Sequence, residues 1–273
     1  MRLWSCSLIA FLSGIFAAGG CARSRIERVE WPVMGTVAAV QVRMGGGADV
    51  PSSVQRVKSQ FEKVEHLLNF HDPTSEIRAL SPLSPPEALA KCSEIVRPCY
   101  EAAFKLSAAS GGAFNPRWRG DGTLDFGAIA KGFAVDAAVY GFSPESDVLI
   151  DLGGNLRSVR GSWRTGVKNP FGDGFARVID LKAGESLATS AVYYRGGHIR
   201  DGRTGQVVSN GVASVTVRCS SAMWADGFST TLFVLGPDEG REFLERNFSE
   251  LAGGGAISVF WIMENGAAVT YER

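Results

Sequence analysis

Two short stretches hold residue types that could handle a phosphorylated ligand. Leu124 to Asp136 reads as a polar entry, a tight turn suited to Asp125 and Gly127, and then a helix over Ala128 to Val135. Backbone N–H groups left free at a helix start attract anionic oxygen, and Lys131, one turn in, adds a full positive charge beside them. Gly127 and Gly132 do not have Walker spacing, so a core helix with one solvated lysine is the competing reading. In Ala222 to Leu235, Asp226 and Thr230 are four apart and share one face of an expected helix, flanked by Gly227 and Ser229. A carboxylate and a hydroxyl are oxygen ligands of the kind magnesium accepts, with waters and substrate phosphates completing its octahedron. An acid favoured by the helix dipole and a threonine bonding back to its own helix would account for the same pair. Taken jointly, a cation and a metal-ligand pair make a coherent phosphate site.

The elements that must position these residues follow from periodicity. Val33 to Val42 alternates as a first strand after a linker reaching to about Glu30, and Val54 to Leu68 places Val57, Phe61, Val64 and Leu68 at helical spacing. His71 to Glu76 is a turn whose Ser or Asp can cap a short helix leading to Leu80. Pro86 to Ala109 reads as a long helix with a possible break at Pro98, and Ala113 to Pro116 as a turn. Strands are expected at Asp147–Asp151, Leu156–Val159, Trp163–Lys168, Ala176–Leu181, Ser186–Ala191 and Val212–Arg218. Helices over Ala222–Leu235 and Asp238–Phe248 and a closing hairpin, Ala256–Met263 with Ala267–Tyr271, complete the chain. Strands and helices alternate without a βαβ rhythm, so the class is α+β, with mixed, mainly antiparallel sheets and packed helices.

The 273 residues, 45% of them hydrophobic, are enough for a sizeable core, and a formal net charge of zero with a pI near 6.8 leaves no basic field for nucleic acid. At the N-terminus, Arg2, an apolar run from Leu3 to Ala18, and Gly19-Gly20-Cys21 have the architecture of an export signal. The small residues before Cys21 resemble a bacterial lipobox. Lipidation of Cys21, plain cleavage nearby and an uncleaved single span are all compatible with this pattern, and each puts the rest of the chain outside the cytoplasm. The expected organisation is a signal peptide over 1–20, a lipidated linker over 21–30 and one domain over 31–273, on the periplasmic face of a bacterial membrane. Cys92 and Cys99 could pair if Pro98 breaks the intervening helix and could not across a continuous one.

Eight motifs in order complete the picture: Met34-Gly35-Thr36, Asp72 to Glu76, Ala113 to Pro116, Asp125 to Asp136, Leu152 to Asn155, Ala188-Thr189-Ser190, His198 to Gly205 and Ala225-Asp226 to Thr230. Together they resemble the ApbE family, the FAD:protein FMN transferases. The resemblance implies a T-fold-like architecture and a magnesium-dependent transfer of FMN from FAD to a threonine of an acceptor flavoprotein, such as subunits of sodium-pumping or Rnf-type redox complexes. AMP is the leaving product. It further implies that Met34, His71, Ala113, Phe114, Asn115, Asp125, Lys131 and His198 line the FAD site. Magnesium would be held by Asp226, the Thr230 hydroxyl and main-chain oxygen near Ala128 and Ser229. Lys131 would help neutralise the pyrophosphate while an incoming hydroxyl attacks the FMN-side phosphorus.

His198 is a candidate base toward the acceptor hydroxyl, or else a flavin or loop contact, and Asp201 is a comparable candidate. Thr189 and Ser190 lack an adjacent base motif and read as cofactor contacts rather than nucleophiles. Trp118 is the tryptophan placed to stack on a ring. The chain departs from the family at Asn115 (usually aspartate), His71 (usually an aromatic such as tyrosine), Ala191 (usually glycine) and Gly202 (usually proline). The segment Arg117 to Thr123 is much shorter than its counterpart. Hydrolysis of FAD to FMN and AMP, and FAD binding by a lipoprotein without turnover, are the alternative functions.

Overall fold

A computed structural model describes residues 25–44, 49–140, 142, 144–192 and 199–273. Cys21 and His198 lie outside the described residues. Ten strands and six helices are present among them, in the α+β arrangement expected. Strands β1 (Ile26–Val33), β2 (Thr36–Arg43), β3 (Val148–Leu152), β4 (Asn155–Arg160), β7 (Ser186–Ala191), β8 (Val212–Cys219), β9 (Ser258–Met263) and β10 (Ala268–Glu272) form one sheet in that order. Every neighbouring pair is antiparallel. The step from β4 to β7 omits β5 (Trp163–Lys168) and β6 (Phe175–Leu181), which pair only with each other.

The first expected strand is in fact a hairpin. Met34 and Gly35 both take positive φ, 51° and 65°, the conformation of a tight two-residue turn whose twist matches the strands it joins. The sheet therefore begins at Ile26, and residues 26–30, expected in a linker, are paired along β2. Helix α1 (Val50–Leu68) buries Val57, Phe61, Val64 and Leu68 along one stripe, and Ser75 caps α2 (Glu76–Leu80). The expected long helix divides into α3 (Pro85–Lys91) and α4 (Arg97–Ala109). Pro98 falls in the first turn of α4, where its missing N–H costs nothing. Cys92 and Cys99, on either side of the break, are both free and buried.

Helix α5 (Ala130–Val139) and the long α6 (Ala222–Ala252) complete the helical layer. The two helices expected after Ala222 are both present within this span and meet at Gly236, whose φ of 74° is non-helical and which Pro237 follows. Asn210 donates through Nδ2 to the carbonyls of Phe233 at 2.8 Å and Val234 at 3.0 Å, satisfying acceptors that the kink releases. The helices and one face of the sheet enclose the main core. On the opposite face β5 and β6 cover a small cluster of Leu149, Trp163, Leu181 and Leu187.

Candidate active site

The centre of the site is the crossing of α5 and α6. Gly132 is the contact point: a Cβ built there would lie 2.1 Å from the Ala222 carbonyl oxygen and 2.8 Å from the Asp226 Cβ. Only glycine lets the two backbones approach this far. The crossing is antiparallel, and each helix supplies a carboxylate to the start of the other. Asp226, 5% exposed, accepts the Gly132 N–H at 3.0 Å through Oδ2. Asp136 accepts from the Ser221 hydroxyl at 2.7 Å and from the Ala222 and Met223 N–H groups at 3.0 and 2.9 Å. Anionic oxygen at a helix start meets unpaired N–H groups and the positive end of the dipole. The anion at the start of α5 is thus the protein's own Asp226.

Lys131 lies beside this pair. Its Nζ is 3.5 Å from Asp226 Oδ2 and donates to the Gly127 carbonyl at 3.0 Å. The lysine and the carboxylate, read from separate stretches of the sequence, therefore share one spot. Next to Asp226 on α6 stand Ser229 and Thr230, and Ser190 of β7 reaches both, at 2.8 Å from the Ser229 Oγ and 3.1 Å from the Thr230 Oγ1. Thr189, read with Ser190 as a cofactor contact, points to the other face of the sheet. Successive strand residues alternate sides, and the Thr189 hydroxyl pairs at 2.8 Å with Thr216 on β8.

Among the described residues no three His, Cys, Asp or Glu side chains cluster as a metal cage would require. One carboxylate beside hydroxyl and carbonyl oxygens is instead the donor set of a magnesium ion that keeps waters and takes substrate phosphates. Asp226, the Thr230 hydroxyl and carbonyls in the Ala128 and Ser229 region fit that chemistry.

A second group joins the first through Asp125. Its Oδ1 accepts the Gly127 N–H at 2.9 Å, and its Oδ2 accepts the Trp118 indole N–H and the Arg119 guanidinium, each at 3.1 Å. Arg119 also lies over the rings of Phe70 and Trp118, at 4.2 and 4.7 Å from their centroids. Arg200 covers Trp118 at 5.5 Å. His71 packs against Phe70 with 3.9 Å between ring centroids, and these two line a cavity of about 320 Å³ with Arg78 and Arg119. The short segment Arg117 to Thr123 thus supplies the residues that grip Asp125.

Four expected ligand contacts have other engagements. Ala113 and Phe114 are 2% and 3% exposed, so their side chains belong to the core. Asn115 donates to the Gly202 carbonyl at 2.9 Å and accepts from the Arg117 N–H at 2.8 Å. Met34 is tied to α1 by its N–H, which donates to Glu65 at 2.9 Å. Asp201 is held by Arg203 across both oxygens, at 2.9 and 2.7 Å, and these bonds keep its carboxyl below the usual range. A carboxylate so occupied is a poorer proton acceptor, which weighs against its reading as a base.

The motif order has a counterpart in known proteins. The model of the ApbE family matches residues 117–253, half of the chain. This chain belongs to the ApbE family. An FAD:protein FMN transferase of Klebsiella pneumoniae (strain 342) is 38% identical over 129 residues, which are 43% of this chain and 40% of that protein. One from Treponema pallidum (strain Nichols) is 25% identical and aligns with 93% of this chain and 90% of its own length. The first curated relatives are matched over only about two fifths of their length. The flavin transferase ApbE from Vibrio cholerae superposes with a TM-score of 0.72 at 22% identity, covering 91% of this chain and 97% of that one. The apo flavinyl transferase ApbE of Pseudomonas stutzeri does so with a TM-score of 0.71 at 24% identity, over 91% and 94%. These superpositions establish the ApbE fold.

Two departures from the ApbE pattern explain each other. The Gly202 N–H donates to the Ala113 carbonyl at 3.0 Å, a bond proline has no hydrogen to make. A Cβ at Gly202 would come within 2.5 Å of both the Gly112 carbonyl oxygen and the Asn115 Cβ. The Gly202 carbonyl is then met by the Asn115 amide, which can donate where an ionised aspartate cannot. The exchange docks the Ile199–Gly205 loop on the Ala113–Pro116 turn.

Proposed function

We propose that this chain is an FAD:protein FMN transferase, moving FMN from FAD to a threonine hydroxyl of an acceptor flavoprotein with magnesium and releasing AMP. Family membership supports the reaction class. The observation that carries it to these residues is the 3.5 Å approach of Lys131 to Asp226 beside the Ser190, Ser229 and Thr230 hydroxyls.

Asp226 and the Thr230 hydroxyl, with main-chain oxygen near Ala128 and Ser229, would hold the magnesium ion, which when bound supplies charge neutralisation at the pyrophosphate. Gly132 fixes the orientation of the Asp226 carboxylate through its N–H. Lys131, whose side chain keeps 26% of its surface exposed, can turn its ammonium from Asp226 to a phosphate oxygen without moving α5. The rings of Phe70, His71 and Trp118, with Arg119 between them, form a wall suited to a planar ring system. With Asp201 bound to Arg203, His198 is the proposed acceptor of the threonine proton. The same reading places the protein outside the cytoplasm on a lipid anchor at Cys21, facing acceptor subunits at the membrane.

Incubation of the pure protein with FAD and Mg2+ tests the reading. Transfer that requires an acceptor peptide supports the transferase, free FMN and AMP without acceptor support a pyrophosphatase, and tight FAD binding with neither supports a carrier. Asp226→Ala should lower metal-dependent turnover by at least about 100-fold, and full activity in that variant would remove the residue from the site.

A further inference from the structure

Each hydroxyl has a single proton, and that count fixes a direction along the three hydroxyls beside Asp226. Ser229 Oγ donates to the Asp226 main-chain carbonyl at 2.9 Å, an atom that can only accept. The 2.8 Å contact between Ser190 and Ser229 must then use the Ser190 proton. The 3.1 Å contact between Ser190 and Thr230 must in turn use the Thr230 proton. Thr230 is left with its hydrogen turned toward β7 and its oxygen lone pairs directed elsewhere. A neutral hydroxyl that binds a cation needs this state, because its hydrogen must point away from the positive charge.

We infer that Ser190 is a positioning residue that accepts the Thr230 proton and so presents the Thr230 oxygen, with the Asp226 carboxylate one helical turn before it, as a preformed pair for a divalent cation. This rests on the magnesium reading above but assigns a role to a residue on a different element from the ligands. The strand and helix hold the relay together: Ser190 faces the helical layer, and its neighbour Thr189 faces away. Residues that orient a ligand from behind typically change metal affinity by about 10–100-fold when removed, and a hydroxyl that water can partly replace belongs at the low end.

The test is Mn2+ binding, followed by the loss of the free-ion paramagnetic resonance signal, with and without FAD, in wild type and in Ser190→Ala, Ser190→Thr and Asp226→Ala. Metal-free thermal midpoints are measured alongside. The expected result is an affinity about tenfold weaker in Ser190→Ala, near wild type in Ser190→Thr, and lost in Asp226→Ala, with the Ser190→Ala midpoint close to wild type. Wild-type affinity in Ser190→Ala, with Asp226→Ala still defective, would overturn the relay and leave the metal site standing. Equal weakening in both Ser190 variants with a lowered metal-free midpoint would reduce Ser190 to packing and overturn it as well. If wild type takes up no Mn2+ under either condition, the metal site fails together with the relay.

Discussion

Replacing Gly132 with alanine puts two effects of opposite sign in competition. In a helix interior alanine is favoured over glycine by about 1 kcal/mol, so propensity alone would stabilise α5. At the crossing, however, the new Cβ would lie 2.1 Å from the Ala222 oxygen and 2.6 Å from its carbonyl carbon. These are backbone atoms at the start of a helix, with no side-chain rotation to relieve them. Restoring van der Waals contact requires α6 to retreat by more than about 1 Å. Overpacking of this kind costs about 1–3 kcal/mol. The retreat also stretches the 3.0 Å bond from the Gly132 N–H to Asp226, and loss of a hydrogen bond to a charged acceptor costs about 1.5–3 kcal/mol. The net expectation for Gly132→Ala is a loss of about 2–4 kcal/mol. For a domain of this size that lowers the thermal midpoint by about 5–15 °C, measured by circular dichroism in the metal-free protein. A midpoint at or above wild type would refute the close crossing and, with it, the placement of Asp226 at the start of α5.

Asp136→Ala removes the acceptor for Ser221, Ala222 and Met223 and should cost about 1–3 kcal/mol in denaturant unfolding, with Asp136→Asn milder because its amide oxygen can still accept from these donors. A loss under 0.5 kcal/mol, about that of an ordinary surface change, would count against the reciprocal capping. Asp151 is held above the usual carboxylate range by burial, against the opposing Gly154 N–H bond and Arg28 charge. Its ionised form is therefore strained in the fold at neutral pH, and that cost disappears as pH falls below the unfolded carboxyl value. Asp151→Asn keeps an acceptor for Gly154 and should be more stable than wild type at pH 7, with the gap closing on acidification; a gap that widens would contradict the sign. Burial pushes the Cys92 thiol up to about 11 and Cys219 to about 12, and Cys99 well above the usual value. All three should resist alkylation at pH 8 until the protein is unfolded, as peptide mass mapping would show.

Strand and helix positions were legible wherever periodicity was clean. Trp163–Lys168 and Ser186–Ala191 coincide with β5 and β7. The first hairpin was hidden because its turn carries Met34 at positive φ, where a turn signal would normally be asparagine or glycine. At the site, spacing along one helix placed Asp226 and Thr230 together, a local property of a 3.6-residue repeat. What spacing could not show was contact between elements distant in sequence: the Gly132 crossing, the exchange of Asp226 and Asp136, and the division of Thr189 from Ser190. Strand alternation already separates those two, but it does not say which side faces the helices. The grip of Trp118 and Arg119 on Asp125 lies in the shortened segment, where a motif comparison has least to align.

Under the proposed function, the same contacts that stabilise the α5–α6 crossing would also prepare the chemistry. Asp226 terminates the start of α5, pairs with Lys131 and stands one turn from Thr230, so its rotamer is set before any ligand arrives. Asp136 performs the capping role in the opposite direction, and the bonds it accepts come from the Ser221 hydroxyl and the Ala222 and Met223 N–H groups at the start of α6. One carboxylate of an otherwise reciprocal pair has thus been drawn into a polar cluster, while its counterpart remains a helix cap. Because catalysis by charge stabilisation depends on groups that do not reorganise, placing the carboxylate proposed to hold the metal in a helix crossing that only glycine permits would supply the rigidity that an exposed loop would lack.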